Sequence, residues 1–330
     1  MSRIRVSIAT ALVALTAVAG ATGATASSRA TNLNFVVYST PKPVLDKLIA
    51  EFRETPEGAD ISITPSYGGS SAQAAAVVAG LPADGVILST GVDMNLLVDN
   101  KIISPKWDKQ SHGGAVWSSV VVFGLRDGNP KKIRSWNDLL KPGVGIVAPN
   151  PFTAGIAKWN ILGAYVAQRK LGRTDAQAIA YLRKLYENVV SQDSSGSNAT
   201  NTFLSGKGDV LLTFESEALN GKIPFVIPRQ TMAIEIYGAV TEKSEHKAEV
   251  NAFLRYLKSY PAQVILAENG YRPVNKQALD QYRKKFPVRS GETKISSPII
   301  GGWRVADKKF FDPTKSVMQE IEESLGVSSG

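Results

Sequence analysis

Four short segments rich in glycine, serine and threonine each follow an apolar, strand-like stretch and precede a helix-like one. Backbone N–H groups at the start of a helix, helped by hydroxyl donors, bind anions without a formal positive charge. Glycine also lets the backbone approach a ligand closely. Because none of the four segments contains lysine or arginine, the pattern predicts an anion site built from uncharged donors. The segments are 38–40 (YST), 68–71 (GGSS), 151–156 (PFTAGI) and 193–198 (DSSGSN).

Few residues of the chain are suited to catalysis or metal binding. The sequence has no cysteine and two histidines, His112 and His246, both in polar segments where surface positions are expected. Disulfides, thiolate metal sites and cysteine nucleophiles are therefore excluded, and neither a metal nor an organic cofactor is predicted. A secreted serine hydrolase that uses Ser70 or Ser71 is an alternative, and it requires one of the two histidines beside the serine.

The net charge of +9 comes from 38 basic and 29 acidic residues that are spread along the chain. The basic clusters lie far apart and alternate with acidic residues, and no helix carries a basic stripe interleaved with aromatic residues. A nucleic-acid partner is therefore not expected. The positive field can still assist the capture of small anions.

Residues 1–26 have the features of a secretory signal peptide. Arg3 and Arg5 precede an apolar stretch over 6–19, and the segment 24–26 (ATA) is a small-x-small cleavage site that ends at Ala26. The mature chain is therefore expected in the periplasm or outside the cell. Because no cysteine follows the apolar stretch, the protein is not expected to be a lipoprotein.

Along the mature chain, short strand-like segments alternate with helix-like ones. This order predicts an α/β protein with open sheets of mainly parallel strands, and in such sheets ligands bind beyond the carboxyl ends of the strands. Thr174 and Gln177 predict a capping box at the start of the helix 174–188, and Gly80 fits the position just after the helix 72–79. The last helix is predicted to open with the pair Asp312-Pro313. The predicted strands are 33–38, 61–65, 86–88, 120–125, 144–148, 209–214 and 233–240, and the predicted helices are 44–52, 72–79, a long one ending near 167, 174–188 and 250–257.

Six further sequence segments follow one another over nearly the whole mature chain. No single one is specific to a protein family, but their combination is. They are 66–84 (SYGGSSAQAAAVVAGLPAD), 120–151 (VVVFGLRDGNPKKIRSWNDLLKPGVGIVAPNP), 157–160 (AKWN), 200–218 (TNTFLSGKGDVLLTFESEA), 271–273 (YRP) and 301–303 (GGW). Together they resemble the periplasmic sulfate- and thiosulfate-binding proteins of bacterial ABC importers. The resemblance implies a type II two-lobe solute-binding fold, in which each lobe is an open sheet flanked by helices and the ligand lies in the cleft. The implied lobe I comprises residues 27–117 and 228–330, and lobe II comprises residues 118–227.

The resemblance also implies how the anion is held. In this family the anion is bound mainly by backbone amides at helix N-termini, together with one serine hydroxyl and one indole N–H. By motif position, the amide donors in this chain are Ser39, Ser70, Gly155, Ile156 and Gly196.

Both side-chain donors of the family are absent from the matching positions. The family's serine falls on Ala154 and its indole donor falls on Phe214. Two missing hydrogen bonds to an anion are enough to change the preferred ligand. The expected replacements are the hydroxyl groups of Ser71, Thr153, Ser195 or Ser197.

The implied function is capture of sulfate, or of a related oxyanion such as thiosulfate, without enzymatic activity. The protein is expected to be a monomer that delivers the anion to the permease subunits of an ABC importer with a separate ATPase. Sulfate needs only donors near neutral pH, whereas hydrogen phosphate also needs an acceptor for its proton. Asp193 is the only acid in the four segments and is placed at an edge, so rejection of phosphate is expected. Thiosulfate and molybdate are the open alternatives to sulfate.

Overall fold

The computed structural model describes residues 30–287 and 289–327. The predicted signal peptide, residues 1–26, lies outside these ranges. Within them, no helix is both long enough and apolar enough to cross a membrane.

Strands and helices alternate over most of the described chain, which confirms the predicted α/β class. The strands are β1 (Thr31–Tyr38), β2 (Ile61–Gly68), β3 (Gly85–Leu88), β4 (Ala115–Leu125), β5 (Ile146–Pro149), β6 (Val189–Asp193), β7 (Val210–Phe214), β8 (Phe225–Val226), β9 (Thr231–Val240) and β10 (Glu292–Thr293). The helices are α1 (Lys42–Arg53), α2 (Ser70–Val78), α3 (Gly91–Asp99), α4 (Gly155–Lys170), α5 (Asp175–Glu187), α6 (Gly196–Leu204), α7 (Glu215–Asn220), α8 (Lys247–Leu257), α9 (Tyr260–Glu268), α10 (Lys276–Gln281), α11 (Trp303–Ala306) and α12 (Val317–Ser324).

The strands pair in the order β2-β1-β3-β9-β4-β7-β5-β6. In the first half of this arrangement, β1 is parallel to β2 and β3, and β9 runs antiparallel to β3. In the second half, β5 is parallel to β6 and β7, and β4 runs antiparallel to β7. The halves therefore repeat one local order, and each directs the carboxyl ends of three parallel strands to one edge.

The long strand β4 joins the two halves. Its residues from Ala115 to Val120 pair with β9, and those from Val121 to Leu125 pair with β7. All but one of its residues are buried, as expected for a strand that continues through the middle of the molecule. The change of partner falls close to the predicted start of lobe II at residue 118, and the lobe boundaries themselves stay a prediction.

Two local predictions are confirmed by capping geometry. Thr174 and Gln177 form a reciprocal capping box at the start of α5. Gly80 follows α2 with a φ of +105°, the left-handed conformation that favours glycine after a helix.

The predicted start of the last helix is wrong. The Asp312 carboxylate accepts hydrogen bonds from the N–H groups of Thr314 (2.8 Å) and Lys315 (3.3 Å), which closes a local turn. The helix begins instead at Val317, and the Ser316 hydroxyl accepts from the N–H of Gln319 at 3.3 Å. Because an aspartate side chain stabilises such turns as readily as helix starts, the pair Asp312-Pro313 does not by itself indicate a helix start.

A buried ion pair ties the two halves together beside β4. Arg272 exchanges two backbone hydrogen bonds with Ser118 on β4, at 2.9 and 3.0 Å. Its guanidinium donates to both carboxylate oxygens of Glu215 at the start of α7, at 2.6 and 3.2 Å. It also donates to Glu292 at 3.0 Å. Through its backbone and its guanidinium, Arg272 thus connects three segments that are distant in sequence: β4, the start of α7 and the segment that contains Glu292.

Replacing this cation tests its contribution to the fold. Arg272→Met leaves the buried Glu215 carboxylate unpaired, so the free energy of unfolding should fall by about 3–5 kcal/mol in chemical denaturation. The control is Arg304→Met, which breaks an ion pair with Asp99 whose side chains are 61% and 55% exposed. That change should cost less than about 1 kcal/mol. Equal losses for the two variants would contradict the assigned role of Arg272.

Candidate anion-binding site

A small cavity lies where the two halves meet. Residues that follow all six parallel strands contribute to it, so the repeated sheet order brings six strand-to-helix junctions together. None of the described residues that line the cavity carries a formal charge. The lining residues are Tyr38, Ser39, Thr40, Gly68, Gly69, Ser70, Ser89, Ala154, Gly155, Ile156, Gly196 and Phe214.

Backbone N–H groups converge on this cavity from both halves. Helices α2 and α4 begin after Gly69 and Ala154, and neither helix has a side-chain cap. The first N–H groups of a helix have no partner inside that helix. Seven lining residues that lie between a strand and a helix or at a helix start have an N–H group with no acceptor within residues 30–287 and 289–327. They are the five predicted donors, Ser39, Ser70, Gly155, Ile156 and Gly196, together with Thr40 and Gly69.

An ion pair buried behind the cavity fixes the start of α2. The Asp93 carboxylate accepts hydrogen bonds from the hydroxyls of Ser70 (2.6 Å) and Ser71 (2.7 Å). Lys158 on α4 lies 3.9 Å from Asp93 and also donates to Ser71. Burial lowers the pKa of Lys158, and the nearby Asp93 opposes that shift. The two serine hydroxyls are therefore engaged with Asp93, and Ser70 offers the cavity its backbone N–H.

The loops of the two halves are in direct contact across the site. The N–H groups of Ser71 and Ala72 donate to the Thr153 carbonyl at 3.1 and 3.2 Å. Gly69 packs so closely that a Cβ on it would lie 2.4 Å from the Thr153 oxygen and 2.5 Å from the Ser194 oxygen. The structure is thus in a closed arrangement, and its closure depends on a residue without a side chain at position 69.

Aromatic side chains hold the cavity loops in place from behind. Trp117 on β4 donates to the Tyr38 hydroxyl at 3.0 Å. The Tyr271 hydroxyl donates to the Thr40 carbonyl at 3.1 Å. These bonds order loops that lack regular structure of their own.

Of the eleven site residues expected from the sequence, seven line the cavity. They are Ser39, Ser70, Ala154, Gly155, Ile156, Gly196 and Phe214.

The four expected replacement hydroxyls lie outside the lining. Ser71 is bound to Asp93 and Lys158, and Ser195 caps α6 by accepting from the N–H of Asn198 at 3.2 Å. Thr153 contributes its carbonyl to the contact across the site, and Ser197 lies within the first turn of α6. All four nevertheless belong to the segments that form the cavity.

Sequence reasoning missed two lining hydroxyls, those of Thr40 and Ser89. Thr40 belongs to a segment that was identified, but only the amide of Ser39 was selected from it. Ser89 follows β3 directly, and its junction with α3 is short and has no glycine before the helix begins at Gly91, so it lacks the composition of the four predicted segments. The available signal was topological, since Ser89 occupies the third strand-to-helix junction of the first half.

The geometry required for a serine hydrolase is not found among the described residues. The hydroxyls of Ser70 and Ser71 donate to Asp93, and no histidine bonds to either serine. No group of three or more histidine, cysteine, aspartate or glutamate residues in the described ranges is arranged to hold a metal ion.

Residues 33–272 match the family model of the bacterial extracellular solute-binding proteins. The chain belongs to this family. The sulfate-binding protein of Synechocystis sp. is 33% identical over 306 residues, covering 88% of this chain and 86% of the relative. The thiosulfate-binding protein of Pseudomonas aeruginosa is 36% identical over 269 residues, covering 77% of this chain and 80% of the relative.

A comparison with solved structures agrees that this chain resembles sulfate-binding proteins. The sulfate-binding protein SubI from Mycobacterium tuberculosis H37Rv matches it with a TM-score of 0.82 and 35% identity, covering 86% of this chain and 100% of that chain. The resemblance to sulfate- and thiosulfate-binding proteins is therefore confirmed, as is the predicted solute-binding fold.

The contact at Gly69 leads to a prediction for this solute-binding protein. Its backbone conformation (φ −61°, ψ 137°) suits any residue, so Gly69→Ala should fold normally. The added Cβ would force the two halves apart, and the affinity for sulfate measured by calorimetry should fall by about tenfold or more, because two hydrogen bonds across the site are broken. The control is Gly145→Ala, where a Cβ would have its nearest neighbour at 3.4 Å. Equal affinities of the two variants would show that closure at Gly69 is not needed.

Proposed function

We propose that the protein is an exported, non-enzymatic binding component that captures sulfate, or a related tetrahedral oxyanion, and delivers it to an ABC importer. One observation carries the proposal. The five predicted amide donors belong to residues that line a small cavity, their N–H groups have no acceptor in the described chain, and no charged side chain of that chain lines the cavity. Charge-assisted hydrogen bonds of this kind are each worth about 1.5–3 kcal/mol, and several together can offset the desolvation of an anion.

The same lining accounts for discrimination against hydrogen phosphate. A protonated anion requires an acceptor, and no carboxylate lines the cavity. Asp193, the acid at the edge of the segment 193–198, accepts hydrogen bonds from Thr202 at 2.7 Å and from Ser191 at 3.1 Å. Those contacts engage its carboxylate with its own segment and with α6. Phosphate would therefore bring a proton that finds no carboxylate in the cavity.

Anion capture can be coupled to transport by closure of the two lobes. Because donors come from both halves, a bound anion stabilises the closed form relative to an open one. In the proposed mechanism, the closed monomer docks on permease subunits, and a separate ATPase supplies the energy. The lobes are proposed to comprise residues 27–117 with 228–330, and residues 118–227.

Thiosulfate is the second candidate ligand. The lining includes the Ala154 methyl group and the Phe214 ring, at the two positions where the family has side-chain donors. The terminal sulfur of thiosulfate is a weaker acceptor than an oxygen, and sulfur packs well against aromatic rings. An apolar patch in an otherwise donor-rich cavity suits an anion with one such atom.

Thermal unfolding of the mature chain, dialysed free of anions, tests the proposal. Sulfate or thiosulfate at about 100 times its dissociation constant should add about 2.7 kcal/mol of stability and raise the midpoint by a few degrees. Phosphate and chloride at the same concentration should leave the midpoint unchanged, and molybdate tests for a larger oxyanion. An unchanged midpoint with all three oxyanions, or an equal shift with phosphate, would refute the proposed function.

A further inference from the structure

We infer that the hydroxyls of Ser89 and Thr40 are the side-chain donors to the bound anion, in place of those absent at Ala154 and Phe214. This inference rests on the proposed function and specifies how this chain recognises its ligand. It concerns residues outside the set expected from the family pattern.

Both hydroxyls are buried and lack partners. Ser89 is 1% exposed and Thr40 is 5% exposed. The Ser89 hydroxyl has no hydrogen-bond partner in the described part of the chain, and the Thr40 hydroxyl forms no hydrogen bond of good geometry there, although it lies near the Tyr38 hydroxyl. Both residues line the cavity. A buried hydroxyl without a partner destabilises a fold, so such groups call for an explanation. An anion in the cavity would provide the acceptor that each one lacks.

The backbone of Ser89 is held on both sides, which leaves only its hydroxyl unpaired. Its N–H donates to the Ser70 hydroxyl at 2.9 Å. Its carbonyl accepts from the Trp159 indole on α4 at 2.6 Å. Ser89 is thus fixed to the first half by one bond and to the second half by the other. A donor held this firmly loses little freedom when a ligand binds.

The Ser89 hydroxyl lies at the start of the helix that follows the position of the missing serine. A Cβ added to Gly155 would lie 2.1 Å from the Ser89 oxygen. The hydroxyl is therefore in close contact with the first residue of α4. A serine at position 154 would offer its hydroxyl from the second half, whereas Ser89 offers one from the first half.

Thr40 is placed in a similar way on the other side of the cavity. Its carbonyl is held by the Tyr271 hydroxyl, and its methyl group lies 3.0 Å from where a Cβ on Gly196 would be. Two residues earlier, the Tyr38 ring contacts the Phe214 ring with centroids 5.9 Å apart. Thr40 and Phe214, the position that lost the indole donor, line the same cavity.

Calorimetric titration with sulfate, and with thiosulfate if sulfate does not bind, tests the inference. Ser89→Ala and Thr40→Val should each weaken binding about 10- to 100-fold, as expected for the loss of one hydrogen bond to an anion. The matched controls are Ser119→Ala and Thr213→Val. These hydroxyls are also buried without partners in the described chain, but they do not line the cavity. Both controls should bind like the unsubstituted protein.

A second readout separates ligand binding from a structural role. Without anion, Ser89→Ala should unfold at the same temperature as the unsubstituted protein or at a higher one, because it removes an unsatisfied buried hydroxyl. A structural serine would give a lower midpoint. A lower midpoint together with unchanged affinity would overturn the inference.

A double variant tests whether a serine at position 154 can replace the serine at position 89 as the hydroxyl donor. Adding Ala154→Ser to the Ser89→Ala variant should increase the affinity of that variant at least about tenfold. A double variant that binds no better than Ser89→Ala would contradict the claim that the two positions serve the same place. If Ser89→Ala and Thr40→Val both bind like their controls, the inference fails while the proposed function stands. If the unsubstituted protein binds no oxyanion, both fail.

Discussion

A divalent anion that enters a closed cavity gives up its hydration shell, and the protein must replace those hydrogen bonds. In the proposed site the donors are the first N–H groups of helices and the N–H of a strand-end loop, and no lysine or arginine of the described chain lines the cavity. Such N–H groups are left free by the geometry of a helix and cost nothing further to present. The placement of helix starts around one point is therefore the constraint on which the rest of the structure depends.

The repeated sheet order satisfies this constraint. Each half places three parallel strands so that their carboxyl ends face the other half, and β4 connects the halves as one buried strand. Charged groups are kept one layer behind the cavity. Asp93 and Lys158 orient the start of α2, while Arg272 binds Glu215 and Glu292 beside β4. The cavity is thus surrounded by ion pairs that position its walls without contributing to its lining.

The sequence predicted the elements well where the signal is local, as in the capping box at Thr174 and Gln177. The alternation of strands and helices predicted the four loops, and the family resemblance then implied the seven residues that line the cavity. The sequence prediction failed where the outcome depends on competing partners. Ser71 was expected to face the anion, yet its hydroxyl is held by Asp93, more than twenty residues away in sequence. Ser89 was missed because its importance arises only when β3 is brought against the start of α4.

The most direct test of the central claim is an ¹H–¹⁵N correlation spectrum of the labelled mature chain, recorded with and without sulfate at pH 7. Hydrogen bonds from backbone amides to an anion move the amide protons downfield. The account predicts the largest downfield shifts at Ser39, Ser70, Gly155, Ile156 and Gly196, with lysine and arginine side-chain signals nearly unchanged. Large shifts of those side chains, with the five amides unmoved, would show that formal positive charges hold the anion and would contradict the account.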